Sequence, residues 1–255
     1  MTRNFYGVLK VERDEVENAK VMRHGRIIHG LELQSYGGWI RPTTYYGRPS
    51  GVGQAIELLH AQNKSIRAGL VGLGAGTLGA YGIEGDVLRF YEINDDVIDK
   101  AQTHFSFLKS TPATVEIVPG DARISLATEP PQQFDLLVLD AFSGDAVPAH
   151  LLTREAFDIY LKHLADGAMI AVHISNLYFD LRPVVEGVAD VHGLHSIAIQ
   201  TPEVNPPVDP SSEWILLSKA ASTLEDGAAF RNVVPEQPRR VLWTDSFSNL
   251  FEILR

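Results

Sequence analysis

Short runs of alternating apolar and polar residues dominate the first part of this chain of 255 residues. Runs such as Phe5–Val11 and Ile27–Leu33 are separated by charged residues or His-Gly pairs, as antiparallel strands are separated by turns. We therefore predict a small N-terminal β unit over residues 1–45 and a second domain over residues 46–255.

A different pattern begins at Gly51. Gly51–Gln62 has apolar residues at helical spacing, and from Ile66 onward apolar runs of strand length alternate with helical stretches. The predicted strands are Ala68–Leu73, Val87–Ile93, Thr114–Val118, Phe134–Leu139, Ala168–His173, His195–Gln200 and Glu213–Leu217, and the predicted helices are Asp95–Leu108, Pro148–Leu164 and Tyr178–Val188. This alternation predicts an α/β fold with a parallel sheet covered on both faces. Ala220–Arg240 is predicted to be largely loop.

The most informative motif is the glycine-rich turn after the first of these strands. Glycine has no Cβ, so Gly72, Gly74 and Gly76 let the backbone pass close to a bound cofactor. Glu92 follows about 20 positions on, where an acid can accept hydrogen bonds from two ribose hydroxyls. The motif therefore predicts an adenosine-containing cofactor. Its G-x-G-x-x-G spacing also fits a dinucleotide, so the turn alone leaves both readings open.

Acidic residues after the third and fourth strands favour S-adenosylmethionine chemistry. Asp121, with Ala122 beside it, is placed to hold an adenine amino group, and aspartate is also a good helix N-cap. Asp140 and Asp145 follow the fourth strand, at the edge where such sheets bind ligands. Carboxylates at that edge would repel the pyrophosphate of a dinucleotide.

Composition narrows the classes of partner and compartment. The chain carries 22 Lys and Arg against 32 Asp and Glu, and this net charge of −10 argues against nucleic acid as a main partner. It has no cysteine, which excludes disulfides and thiol chemistry. No apolar run reaches the roughly 18 residues of a bilayer span, and the N-terminus has no signal-peptide pattern. We therefore expect a cytoplasmic protein.

Several motifs together resemble the spermidine synthase family of aminopropyltransferases over about Arg3–Leu217. The most specific are the glycine turn, Tyr91–Ile98, Gly120–Arg123 and Phe134–Asp140. Arg3–Leu9, the His24-Gly25 and His29-Gly30 pairs, and Asp140–Asp145 are similar to spermidine synthase-like domains that many bacteria carry fused behind a transporter-like membrane segment.

The resemblance implies a class I S-adenosylmethionine-dependent methyltransferase-like (Rossmann-like) sheet behind the β unit. It implies transfer of an aminopropyl or related group from decarboxylated S-adenosylmethionine, or from S-adenosylmethionine, to an amine or polyamine, without a metal. Asp140 and Asp145 are then the catalytic candidates, and Gln34, Tyr45 and Tyr46 fall where the family contacts its substrate. Dimers are usual in this family.

Two departures from the family pattern keep alternatives open. Ala75 replaces an aspartate that lies near the amino group of the decarboxylated donor, and its absence would relieve repulsion against the carboxylate of intact S-adenosylmethionine. Thr44-Tyr45-Tyr46 replaces Tyr-His-Glu, which removes an acid that would suit a dicationic acceptor. A methyltransferase and a non-catalytic cofactor-sensing domain are therefore the alternative hypotheses.

The proposed chemistry assigns separate roles to the acids. An acceptor ammonium has an ordinary pKa near 10 and must lose a proton before it attacks. The Asp140 carboxylate can hold that ammonium and accept its proton, while Asp145 steers the remote charge. His24 and His29 suggest a metal, but a spacing of five puts them on opposite faces of a regular strand, so a role beside the active-site hairpin is favoured.

Overall fold

The N-terminal β unit is a four-stranded antiparallel sheet in a computed structural model that describes residues 1–25, 27–34, 40–62, 65–141, 147–225 and 230–255. The strand order is β1-β2-β3-β4. The strands are β1 (Thr2–Asn4), β2 (Gly7–Asp14), β3 (Ala19–His24) and β4 (Ile27–Leu33). Alternation buries Val21 on one face of β3, and Met22 faces the main core on the other.

The second sheet has eight strands in the order β12-β10-β11-β9-β8-β5-β6-β7. Its strands are β5 (Arg67–Val71), β6 (Val87–Glu92), β7 (Thr114–Pro119), β8 (Phe134–Leu139), β9 (Leu164–His173), β10 (His195–Thr201), β11 (Ser212–Ser218) and β12 (Val233–Val234). β5 to β9 run parallel, and β11 runs antiparallel to both of its neighbours. The predicted α/β class with a small N-terminal β unit is confirmed.

Helices cover both faces of this sheet. They are α1 (Gly51–Ala61), α2 (Asp95–His104), α3 (Phe107–Ser110), α4 (Ala122–Thr128), α5 (Arg154–Tyr160), α6 (Arg182–His192) and α7 (Ala221–Glu225). Leu70, Phe90 and Trp214 belong to the core under α1 to α3, while Leu137 and Ile170 belong to the core under α4 to α6. Within the described ranges, no helix is long and apolar enough to cross a bilayer.

Several predicted boundaries are wrong in ways that packing explains. The helix predicted over Asp95–Leu108 is broken at Phe105, whose ring stacks on Phe107 with centroids 6.5 Å apart. The predicted Pro148–Leu164 helix is reduced to α5 between two short 3-10 turns, and β9 begins at Leu164.

The last predicted helix is displaced toward the C-terminus. The helical pattern over Tyr178–Val188 corresponds to α6, which begins at Arg182 because Pro183 suits a first turn. It ends where Gly193 takes a left-handed conformation, with φ of +62°. Beyond it, the region predicted as loop contains α7 and the two residues of β12, which pair with Ala198 and Ile199.

Candidate active site

A cavity of about 650 Å³ lies at the carboxyl edge of the parallel strands. Such an edge is where open α/β sheets bind their ligands, because the connecting loops meet there. Its lining comes from β3 and β4 of the small sheet, from the glycine turn, from the ends of β6 to β9, and from the segment leading into β11. Residues from both sheets therefore form one site.

The conformation of the glycine turn is constrained by neighbouring backbone. Gly72 has φ of +97° and Gly74 has φ of +53°, conformations that favour glycine. A Cβ on Gly72 would clash with the carbonyl oxygen of Asp140, and a Cβ on Gly74 would clash with that of His29. Both glycines line the cavity. Gly76, with φ of +81°, packs instead beside Leu108 and lies outside the lining, which departs from the prediction.

Ala75 has a packing role. Its side chain is 1% exposed, and its backbone N–H donates to the His29 carbonyl of β4 over 3.1 Å. A Cβ added to Gly30 would clash with the Ala75 side chain, so the two residues are in close contact. Ala75 is also absent from the cavity lining. The interpretation that this alanine makes room for a donor carboxylate is therefore wrong, because its side chain faces β4.

Glu92 ends β6 with its carboxylate at the cavity. One oxygen accepts the backbone N–H of Leu73 over 3.0 Å, and the other accepts that of Asn94 over 2.9 Å. Burial raises the pKa of Glu92, and these backbone hydrogen bonds counteract part of that rise. Each carboxylate oxygen can accept a second hydrogen bond, so the group is oriented and still able to bind hydroxyls.

Asp121 is both a helix cap and a cavity residue. Its Oδ1 accepts the Ile124 N–H of α4 over 3.0 Å, and its Oδ2 lies 3.1 Å from Nε2 of His150. Asp121, its neighbour Ala122 and His150 all line the cavity. The N-cap interpretation is confirmed, and the cavity position fits the predicted contact with an adenine.

Asp140 lies at the opposite end of the site with two side-chain partners. Its Oδ1 lies 2.7 Å from Nδ1 of His173, and its Oδ2 accepts the hydroxyl of Tyr46. Burial alone would raise the pKa of Asp140, but His173, Tyr46 and His29 together lower it. The carboxyl is therefore ionised although it is buried. Burial and Asp140 raise the pKa of Tyr46 far above its ordinary value, which keeps that phenol protonated as a donor.

A stack of rings holds this end of the site in place. The His173 ring lies between Tyr45, at 4.5 Å, and Trp214, at 4.7 Å between centroids. Trp214 donates its indole N–H to the Tyr45 carbonyl over 3.1 Å. Tyr45 and Tyr46 both line the cavity, where the sequence placed them as substrate contacts.

His29 brings a neutral imidazole to the same cavity. It lies in β4, and burial lowers its pKa to about 4, against a smaller raising effect of Asp140. Its Nε2 is buried, and within the described ranges it has no hydrogen-bond partner. The sequence predicted only a turn residue here, because the fold that brings β4 onto the glycine turn is not visible in a local pattern.

A further acid, Glu213, lines the cavity where β11 begins. Glu213 pairs with Arg255 over 2.6 Å, and its Oε1 lies 3.2 Å from Nε2 of Gln200. The side chains of Glu213 and Arg255 are 25% and 40% exposed, so this ion pair contributes little to stability. Sequence reasoning used Glu213 only as the start of a strand.

The remaining predicted site residues lie elsewhere. Gln34 follows β4, where its backbone N–H donates to Asn18 over 2.8 Å, and it does not line the cavity. Asp145 falls outside the described residues. His173, which the sequence analysis gives only as the end of a predicted strand, lines the cavity, as does Ser175, which no sequence pattern singled out. Among the described residues, no group of three or more His, Asp or Glu side chains could hold a metal ion.

Comparison with known proteins agrees with this architecture. The polyamine aminopropyltransferase of Vibrio vulnificus is 34% identical over 114 residues, which is 43% of this chain and 37% of that protein. The chain thus spans little more than a third of the length of this curated relative. No protein-family model matches the chain.

Two solved structures share the fold. A probable spermidine synthase from Corynebacterium glutamicum has a TM-score of 0.64 at 16% identity, with 89% of this chain and 85% of that chain covered. The spermidine synthase of Thermotoga maritima has a TM-score of 0.53 at 14% identity, with 85% and 74% covered. The predicted resemblance is thus confirmed as a local sequence match to a polyamine aminopropyltransferase and a fold shared with two spermidine synthase structures.

Proposed function

We propose that this spermidine synthase-like chain is a transferase that moves an aminopropyl or related group from an S-adenosylmethionine-type donor to an amine. The observation that carries the proposal is the pairing of two acids in one cavity. Glu92 is oriented for a ribose, and the ionised, buried Asp140 is oriented for a cation.

The adenosine end of the donor fits the acids that follow β6 and β7. The carboxylate of Glu92 is fixed by the N–H groups of Leu73 and Asn94, which leaves one acceptor position on each oxygen for a ribose hydroxyl. Asp121 is held by its helix cap and by His150, so its carboxylate is positioned to accept an adenine N–H. Adenosine recognition needs only such acceptors, and it applies equally to decarboxylated and intact donors.

The acceptor end is negatively charged. Asp140 is ionised beside the rings of Tyr45 and Tyr46, a setting that attracts an ammonium group by charge and by the ring faces. Glu213 adds another carboxylate to the lining, and its partner there is Arg255, which an amino group of the acceptor would displace. This acid would take the remote charge of a diamine or polyamine in place of the family glutamate that Tyr45-Tyr46 lacks. We therefore favour an acceptor with more than one amino group.

The reaction requires few covalent changes. The neutral amine attacks the methylene carbon beside the sulfonium, a carbon–nitrogen bond forms, and the carbon–sulfur bond breaks with its electron pair on sulfur. The nucleoside thioether leaves, and one proton leaves the amine. The residues around the cavity orient the two reactants, bind the charges and remove that proton.

Identification of the nucleoside product tests the proposal. The protein is incubated with decarboxylated or intact S-adenosylmethionine and a mixture of mono-, di- and polyamines, and the products are identified by mass spectrometry. Methylthioadenosine formed only when amine is present supports aminopropyl transfer. S-adenosylhomocysteine would establish the methyltransferase alternative. Tight binding of the donor without either product would favour the cofactor-sensing alternative.

A further inference from the structure

Three side chains form a continuous row of hydrogen bonds at the acceptor end of the cavity. Oδ1 of Asp140 lies 2.7 Å from Nδ1 of His173, and Nε2 of His173 lies 2.8 Å from Oγ of Ser175. All three residues line the cavity. The row combines an acid, an imidazole and a hydroxyl in the order that enzymes use to pass a proton.

The partners of the row fix the direction of its hydrogens. Asp140 is ionised and accepts, so His173 donates its Nδ1–H and leaves a lone pair on Nε2. Oγ of Ser175 also accepts the backbone N–H of Glu213 over 2.8 Å. The serine hydroxyl therefore donates to Nε2, and one lone pair of Oγ is left. That lone pair can accept a hydrogen bond from an ammonium group in the cavity.

The same contacts make Asp140 a weak base. His173, Tyr46 and His29 lower the pKa of Asp140, which means that its ionised form is stabilised against protonation. An imidazole has an ordinary pKa near 6.5, much closer to neutral pH. General-base catalysis is most effective when the base has a pKa near the working pH. The chemistry of the row thus favours the imidazole over the carboxylate as the proton acceptor.

We propose that Ser175, His173 and Asp140 form a relay that takes the proton of the acceptor amine, with His173 as the proton acceptor and Asp140 as its positioning residue. The proposal rests on the proposed amine alkylation and deepens it. The ammonium gives a proton to Oγ of Ser175 while the serine hydroxyl proton moves to Nε2. The amine nitrogen keeps its electron pair for the attack, and the imidazolium that forms is stabilised by Asp140. The proton then returns to solvent.

Other ionisable groups also face this relay. Tyr45 and Tyr46 approach from the segment before α1, His29 approaches Asp140 from β4, and Glu213 lies at the start of β11 beside Ser175. Burial raises the pKa of both tyrosines and lowers that of His29 to about 4, so these three stay neutral between pH 5 and 9. The carboxylate of Glu213 is paired with Arg255.

The imidazole can be observed directly without turnover. Nitrogen-15 NMR of the histidines in the unliganded full chain should show that the His173 ring is protonated at Nδ1 and not at Nε2. Ser175→Ala should shift the Nε2 resonance of this ring, whereas Asp140→Asn should disturb the tautomer. A His173 ring protonated at Nε2 at neutral pH would overturn the proposal, because that nitrogen could not accept a proton.

Kinetics separate a proton acceptor from a packing residue. In the parent protein the rate should fall as the pH drops, because a base that already carries a proton cannot accept another. His173→Gln should lower kcat about 100-fold or more, the scale of general-base catalysis. The remaining rate should no longer fall as the pH drops. Ser175→Ala should lower kcat about tenfold with the affinity for methylthioadenosine unchanged. His104→Gln, at an exposed position of α2, serves as the matched control with an unchanged rate and pH profile.

The outcomes separate the relay from the proposed function. If the parent protein forms methylthioadenosine with an amine but His173→Gln and Ser175→Ala both keep its rate and pH profile, the relay is wrong and the transferase stands. If no amine is consumed while the NMR spectrum shows the expected tautomer, the transferase proposal fails and the relay fails with it as a base for amines. Should His173→Gln not fold, Ser175→Ala decides.

Discussion

The two ends of the cavity are built by different means. At the proposed adenosine end, each acid has one local contact, from the N–H of Asn94 to Glu92 and from that of Ile124 to Asp121. Each also has a longer one, with Leu73 at 19 positions and with His150 at 29. At the reacting end, Asp140 meets Tyr46 across 94 positions and His173 across 33. Each acid of the proposed adenosine end thus has one local anchor, whereas the Asp140 carboxylate at the proposed reacting end is held by side chains from distant segments.

The largest effect is expected from a substitution at the contact between the glycine turn and β4, which joins the two sheets beside the cavity. Ala75→Asp would bury a carboxylate against Gly30, and we expect the free energy of unfolding to fall by about 3–5 kcal/mol, the scale for an unpaired buried charge. Urea denaturation measures it, with Ala75→Ser as the smaller control. Unchanged stability together with selective loss of intact S-adenosylmethionine binding would restore the idea that this residue faces the donor.

A substitution at the reacting end should leave recognition intact. Asp140→Asn removes the charge that orients His173 and attracts the acceptor, so we expect turnover to fall about 100-fold or more. The affinity for methylthioadenosine, measured by calorimetry, should barely change. Asp99→Asn, at an exposed position of α2, provides a matched control. Equal loss of affinity and turnover would show that the two ends are not separate.

The histidine of β4 should make stability depend on pH. The pKa of His29 is about 4 when folded and near 6.5 when unfolded, so the unfolded chain binds more protons between these values. Stability is fully present above pH 6.5 and is lost as the pH falls toward 4. Between pH 7.5 and pH 5 we expect a loss of about 2 kcal/mol in urea denaturation. His29→Gln should remove this loss, and His104→Gln, at an exposed position, should keep it.

The smallest expected effect is at the adenosine end. Glu92→Gln keeps the shape of the side chain but turns one oxygen into an amide NH₂ that faces a backbone N–H. We expect the affinities for methylthioadenosine and S-adenosylmethionine to fall together, by about tenfold, as for the loss of a charged hydrogen bond. Calorimetry with both ligands measures this. A loss for one ligand alone would argue that Glu92 does not bind the ribose.

The sequence predicts the residues that follow the ends of apolar strands, at both ends of the site. The strands that lead to Glu92 and Asp140 are apolar runs with the period of buried β-structure, and β8 is predicted to the residue. The role of Ala75 was misjudged, because its side chain packs against Gly30 of β4, more than 40 positions earlier. His173 and Ser175 belong to the site because of their hydrogen bonds with Asp140, with each other and with the amide of Glu213. No local pattern records such contacts.

The contact of β4 with the glycine turn makes the small sheet part of the ligand-binding equilibrium. The Ala75 N–H bond to His29 and the contact with Gly30 join the two sheets at the wall of the cavity. A nucleoside that binds only the docked arrangement stabilises it by about 2.7 kcal/mol at a concentration of 100 times Kd. Amide hydrogens in β2 and β3 would then exchange with solvent up to about 100 times more slowly, although most of these residues lie beyond the reach of the ligand.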